Sequence, residues 1–135
     1  MPTDSPHLAA ATAEVSTAAG GNLTGITYAW SHPEDGPQDG LLVIGPGDEP
    51  DGAVAFWGDS WHQPQPTILA GGFGEGLLVV SYEYGGEWLW QITVDATKPD
   101  SLTLGMENVV PESAATDAIA AGAYVAMLTD LRRRS

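Results

Sequence analysis

The chain contains no cysteine. It therefore has no disulfide, no thiolate metal ligand and no cysteine nucleophile, and a small disulfide-stapled secreted domain is excluded. Basic residues are nearly missing too, because residues 1 to 97 contain no lysine or arginine and the whole chain has four, Lys98 and Arg132 to Arg134. The formal net charge is −14. A surface this acidic repels phosphate groups, so we expect neither nucleic acid nor membrane as a partner.

Long apolar stretches are missing as well. No 18 consecutive residues are apolar, and the first 18 residues have neither the basic start nor the apolar run of a signal peptide. We therefore expect a cytoplasmic protein. A length of 135 residues with 43% hydrophobic residues suits one domain that folds by itself, as a monomer or a homodimer.

Two parts of the chain differ in pattern. Residues 5 to 19 are rich in alanine and begin with Ser5 as a possible N-cap and Pro6 as a possible first helical residue, so they predict a short helix that ends at Gly20 and Gly21. We divide the chain into residues 1 to 20, a helical or disordered segment, and residues 21 to 135, a β domain.

The β domain shows short β-branched and aromatic stretches separated by Gly, Pro and Asp. They predict strands at 22 to 31, 39 to 46, 52 to 60, 65 to 73, 76 to 85, 87 to 96, 101 to 108 and 122 to 132. Most connections are too short for the crossover helix of a parallel sheet, and the segment 109 to 121 is a loop with some helix. The pattern predicts an all-β fold, a closed antiparallel up-and-down barrel of about eight strands, with a β-sandwich as the alternative.

Alternation along the strands predicts which side chains point inward. One face of residues 87 to 94 carries Trp88, Trp90, Ile92 and Val94, and the face of residues 101 to 108 with Leu102, Leu104 and Met106 ends in Asn108. The same reasoning places Tyr28, Trp30 and Tyr82 inside. A barrel of this size is either filled by its side chains or holds one small ligand.

The segment 56 to 63, FWGDSWHQ, concentrates polar and aromatic residues where a strand gives way to a turn. Asp59 and His62 are the candidate catalytic residues, because a carboxylate or an imidazole among aromatic rings has a shifted pKa suited to proton transfer. Glu83 and Glu107 are further candidates. For each of the four, a structural role in a turn or on the surface is the alternative.

These residues, with Tyr28 and Trp30, the segment GEWLWQI and the segment MENVVP, carry a resemblance to a known family. The chain resembles the actinobacterial branch of the calycin-like domains of DUF1579 type, over roughly residues 22 to 131. The resemblance implies a barrel similar to lipocalins and fatty-acid-binding proteins, with a cavity and without an assigned activity. The chain departs from it in lacking a Gly-x-Trp-x-Gly start and most basic residues.

Several chemistries do not fit the sequence. Ser60, His62 and Asp59 cannot form a hydrolase triad within one strand, since neighbouring side chains point to opposite faces. His7, His32 and His62 lack metal-ligand spacing, and no histidine follows His62 as a late haem ligand. The glycine-rich segments lack the helix and lysine of phosphate-binding loops. We expect neither a metal nor a cofactor.

The sequence therefore predicts a barrel that binds a small apolar or aromatic molecule. An enzyme of the same architecture, a cyclase or isomerase with one acid or base residue, is the alternative, and an acidic interaction protein with a filled barrel is a third class. The predicted ligand-binding residues are Tyr28, Trp30, Trp57, Trp61, Tyr82, Trp88, Trp90, Asn108 and Tyr124.

Overall fold

The computed structural model describes residues 11 to 98, 100 to 116 and 121 to 132. Within these ranges the chain forms nine β-strands and two short 3₁₀ turns, Ala19–Gly21 and Glu112–Ala114. The strands are β1 (Ala11–Ala18), β2 (Leu23–His32), β3 (Gly36–Pro46), β4 (Gly52–Asp59), β5 (Gln63–Gly74), β6 (Leu77–Gly85), β7 (Trp88–Asp95), β8 (Ser101–Val110) and β9 (Gly122–Arg132). Over the described part of the chain, no helix has the length and apolar character to span a membrane.

The nine strands form one sheet in chain order, and every neighbouring pair is antiparallel. β1 also approaches β9, so the sheet curls into a nearly closed up-and-down barrel. The predicted fold class is confirmed, and the sandwich alternative, which needs two sheets, is wrong. Because the number of strands is odd, β1 and β9 run in the same direction where they meet. Among the residues that the structure describes, the sheet order contains no ladder between β1 and β9.

The predicted helix over residues 5 to 19 is wrong where the structure describes it, since residues 11 to 18 form β1. Ala11 and Ala13 lie opposite Trp30 and Tyr28 of β2, and their small side chains leave room for the two large rings. A short isolated helix gains little in water, whereas pairing with β2 supplies a full backbone ladder. The other part of the predicted helix lies outside the described residues.

The remaining predictions of strands agree with β2 to β9 to within three residues at each end. Between β8 and β9 the predicted helical content is limited to the single 3₁₀ turn in the residues that the structure describes. The turns after β2, β4 and β6 lie at one end of the barrel, because alternate connections of an up-and-down sheet share an end. We call this end, where β2 ends at His32, β4 at Asp59 and β6 at Gly85, the aromatic end.

Inward side chains fill the barrel away from the aromatic end. Leu42, Leu69, Val80, Ile92 and Met106 are all fully buried and belong to one continuous core. Each comes from a different strand, so the core holds the sheet together around the barrel. Towards the aromatic end the core changes from aliphatic side chains to tryptophan, tyrosine and histidine.

Candidate functional site

The inward side chains at the aromatic end form two rows that run across neighbouring strands. The first row passes from Ala13 through Tyr28, Gly40 and Asp59 to Gln63, in β1 to β5. The second row, in β6 to β9, consists of Tyr82, Trp90, Asn108 and Tyr124. The Tyr82 hydroxyl donates to Gln63 Oε1 at 2.9 Å, which joins the two rows. Six of the eleven predicted site residues therefore lie in this layer of the barrel.

Gly40 lets Tyr28 reach Asp59 across an intervening strand. Tyr28 and Asp59 both lie opposite Gly40, in β2 and β4 respectively. A Cβ atom on residue 40 would lie 2.4 Å from two atoms of the Tyr28 side chain, so no other residue fits without displacing the ring. The Tyr28 hydroxyl extends over β3 and donates to Asp59 Oδ2 at 2.5 Å. The absence of a side chain at residue 40 thus positions the central hydrogen bond of the site.

Asp59 is a buried carboxylate with several hydrogen bonds. Besides the Tyr28 hydroxyl at Oδ2, it accepts the backbone N–H groups of Trp61 at 2.7 Å and His62 at 3.0 Å on Oδ1. Burial alone would raise its pKa, but the contact with the His62 side chain and the hydrogen bonds from Tyr28 and the backbone outweigh this, and the pKa lies below its ordinary value. Asp59 is therefore held as an anion that fixes the turn after β4.

The Tyr28 hydroxyl also accepts a hydrogen bond. Trp57 Nε1–H donates to it at 2.8 Å, so a continuous chain runs from Trp57 through Tyr28 to Asp59. Burial and the neighbouring carboxylate of Asp59 both raise the pKa of Tyr28 far above its usual range. The phenol consequently stays protonated and serves as a fixed donor. The Trp57 ring stacks on Trp90, with 5.7 Å between ring centroids and 12° between planes.

His62 lies between two tryptophan rings at the turn after β4. Its ring centroid is 5.8 Å from that of Trp30, in a stacked arrangement, and 5.2 Å from that of Trp90. His62 Nδ1 is 3.4 Å from Asp59 Oδ2, an ion-pair distance without hydrogen-bond geometry. The structure thus brings together the two predicted catalytic residues. Their proximity arises because β4 ends at Asp59 and the chain turns back immediately.

Trp61 and His32 form the outer part of this cluster. Their rings stack with centroids 4.3 Å apart and 26° between planes, and Trp30 meets Trp61 edge to face at 6.3 Å. Trp61 is 39% exposed, so the cluster reaches the solvent here. Neither His32 nor Gly40 is among the predicted binding residues. The periodic inward pattern of β2 places His32 in line with Tyr28 and Trp30 and could have revealed it.

The other predicted binding residues lie on the side of β6 to β9. Tyr84 donates to Asn108 Oδ1 at 2.6 Å and its ring lies 6.5 Å from that of Trp88. Trp88 and Tyr124 are half-buried, and Asn108 is buried. In the described residues, the Trp88 ring contacts Tyr84 and none of the rings around His62.

Three buried side-chain nitrogens of the cluster have no hydrogen-bond partner among the described residues: Trp30 Nε1, Trp90 Nε1 and His62 Nδ1. The two indoles are 7% and 8% exposed. Such unpaired donors are rare in protein interiors and costly. Within the same part of the chain, no three His, Cys, Asp or Glu side chains are grouped to hold a metal ion.

An open cavity of about 1030 Å³ lies against β1 to β4 and the end of β9. Its lining includes Ala13, Tyr28, Gly40 and Asp59 but none of the tryptophan rings. The cavity and the aromatic cluster therefore border each other at Tyr28 and Asp59. The arrangement offers ring faces, indole N–H donors and a fixed carboxylate next to an imidazole.

Comparison of the chain with protein-family models, with curated proteins and with solved structures finds no match in any of the three.

Proposed function

We propose that this protein binds a small planar molecule at the aromatic end of its barrel. The observation that supports this most directly is the stacked cluster of Trp30, His32, Trp61 and His62, which is buried at its base and exposed at Trp61. Aromatic faces with one end open to solvent are typical of pockets that take apolar or aromatic ligands. The resemblance to the calycin-like family stays a prediction.

The part of the barrel away from the aromatic end limits where a ligand can bind. Its side chains form a continuous aliphatic core, so the ligand would lie on the rings of the aromatic end and not deep inside. Tyr28 and Asp59 also belong to the lining of the open cavity beside β1 to β4.

Titration with two neutral dyes, Nile red and N-phenyl-1-naphthylamine, tests this proposal. We expect dye emission to rise and tryptophan emission to fall on binding, because the rings of the cluster lie at the site. Trp61→Ala should weaken binding about tenfold, which corresponds to about 1.4 kcal/mol and lies within the range for an aromatic stacking contact. Phe73→Ala is the matched control, since Phe73 is an exposed aromatic residue at the opposite end of the barrel. Equal affinity of both variants, or no binding to the unmodified protein, would contradict the proposal.

A second candidate function is a cyclase or isomerase that uses the same site. The contact between Asp59 Oδ2 and His62 Nδ1 favours it, because a carboxylate beside an imidazole is a common acid-base pair. In such an enzyme His62 would move the proton and Asp59 would position it. His62→Gln should then abolish turnover of a bound substrate while leaving its affinity within a few fold, and retained turnover would rule this function out.

A further inference from the structure

The structure contains two deeply buried hydrogen-bond donors that its described residues do not use. Trp30 Nε1 and Trp90 Nε1 belong to side chains more than nine-tenths buried, on two separate strands, and both rings pack against His62. The other indole at the base of the cluster, Trp57, has its N–H fully engaged by Tyr28. Of the three indoles that contact His62, those of Trp30 and Trp90 have unpaired N–H groups in the described residues.

A buried N–H without an acceptor costs free energy that a bound acceptor recovers. Indole nitrogen donates only, so the complementary ligand atom must carry a lone pair, as a carbonyl oxygen or a ring nitrogen does. A hydrocarbon would leave both donors unpaired. The chemistry of the site therefore selects an acceptor and not just an apolar shape.

The charge of the surroundings selects among acceptors. Asp59 is a buried anion beside His62, and Glu34, Asp35, Glu83 and Glu87 lie in or next to the turns at the same end. The two described basic residues, Lys98 and Arg132, lie at the opposite end, in the β7 to β8 connection and at the end of β9. A carboxylate ligand would meet several negative charges and no cation of the described chain. A neutral acceptor avoids this repulsion.

We infer that the ligand is a planar, uncharged molecule with a carbonyl or similar acceptor, held by the indole N–H groups of Trp30 and Trp90. This inference rests on the proposed function, because it specifies the ligand of the same site. It also assigns separate roles to the rings. Trp61 and His32 supply stacking surface, whereas Trp30 and Trp90 donate hydrogen bonds to the polar group of the ligand.

Three naphthalene derivatives of nearly the same size test the inference. 2-Acetonaphthone carries a neutral carbonyl, 2-isopropenylnaphthalene replaces that oxygen by a CH₂ group, and 2-naphthoate carries an anionic acceptor. Calorimetric titration should give the ketone about tenfold tighter binding than the isopropenyl compound, as expected for a recovered buried hydrogen bond. The carboxylate should bind more weakly than the ketone.

NMR spectra of the five indole N–H groups provide an independent measurement. The Trp30 and Trp90 resonances should move downfield with the ketone but not with the isopropenyl compound, whose ring current is similar. Trp90→Phe should reduce the preference for the ketone, whereas the control Trp88→Phe should keep it. Binding of the isopropenyl compound to both variants reports whether the site still folds.

The outcomes separate the inference from the proposed function. Equal affinities for the ketone and the isopropenyl compound would overturn the inference while leaving a stacking site in place. Tighter binding of naphthoate would overturn the requirement for a neutral ligand. If none of the three compounds binds, both the inference and the proposed function are wrong.

Discussion

Replacing Tyr28 by phenylalanine removes one hydroxyl and, with it, two buried hydrogen bonds at once. Trp57 Nε1–H loses its acceptor, and Asp59 Oδ2 loses the donor at 2.5 Å. An unsatisfied buried donor costs about 1–3 kcal/mol, and a hydrogen bond to a charged group contributes about 1.5–3 kcal/mol. Tyr28→Phe should therefore lower the free energy of unfolding by about 2.5–6 kcal/mol. This is a large fraction of the stability of a domain this size.

Urea unfolding at pH 7, followed by tryptophan fluorescence, measures the loss, provided that the m-value stays unchanged. Tyr82→Phe is the matched control, because it also removes a tyrosine hydroxyl with one hydrogen bond, to Gln63, in a half-buried position. The control should cost only about 0.5–1.5 kcal/mol. If the two variants lose the same stability, the hydrogen-bonded chain from Trp57 to Asp59 does not have the role assigned to it.

The pKa of Asp59 is lower in the folded than in the unfolded state, so its contribution to the free energy of unfolding is present above about pH 4 and disappears as the pH falls through the folded pKa. In acid unfolding, the free energy of unfolding of Asp59→Asn should therefore depend less steeply on pH below about pH 4 than that of the unmodified protein. Trp90→Ala should lower the free energy of unfolding by about 3–5 kcal/mol, measured in urea. Trp88→Ala should lower it clearly less, because Trp88 is half-buried. Equal losses in the two variants would contradict the packing described for these rings. Gly71→Ala places a Cβ 1.9 Å from the Val79 carbonyl oxygen and should lower the free energy of unfolding by about 1–3 kcal/mol. In the control Gly74→Ala the new Cβ meets nothing within 4 Å. Equal melting temperatures of the two variants would contradict this prediction.

The strands of the barrel could be predicted because turns and alternation are local properties of the sequence. β1 could not, since its alanines favour a helix locally and its strand conformation depends on the ladder with β2. Asp59 and His62 are in contact within one turn, so their contact could be predicted from the segment FWGDSWHQ.

The contact of Tyr28 with Asp59 could not be predicted from the sequence in the same way. It depends on the register of three strands and on the missing side chain at Gly40. Sequence periodicity also placed Trp30 and Trp90 inside without showing that their N–H groups lack partners, because hydrogen bonding of a buried ring depends on its neighbours in three dimensions.

The strictly sequential order of the sheet has a consequence for how the chain folds. Each ladder joins strands that follow one another in the chain, and most of the connections between them are short. The entropy of closing each loop is therefore small, and the barrel has more local contacts than Greek-key β domains of similar size. Hairpins can form one after another, and the approach of β1 to β9 comes last, because it is the one contact between strands that spans the whole described chain. We expect folding to be fast for an all-β protein, with the rate set by hairpin formation and not by the closure of the barrel.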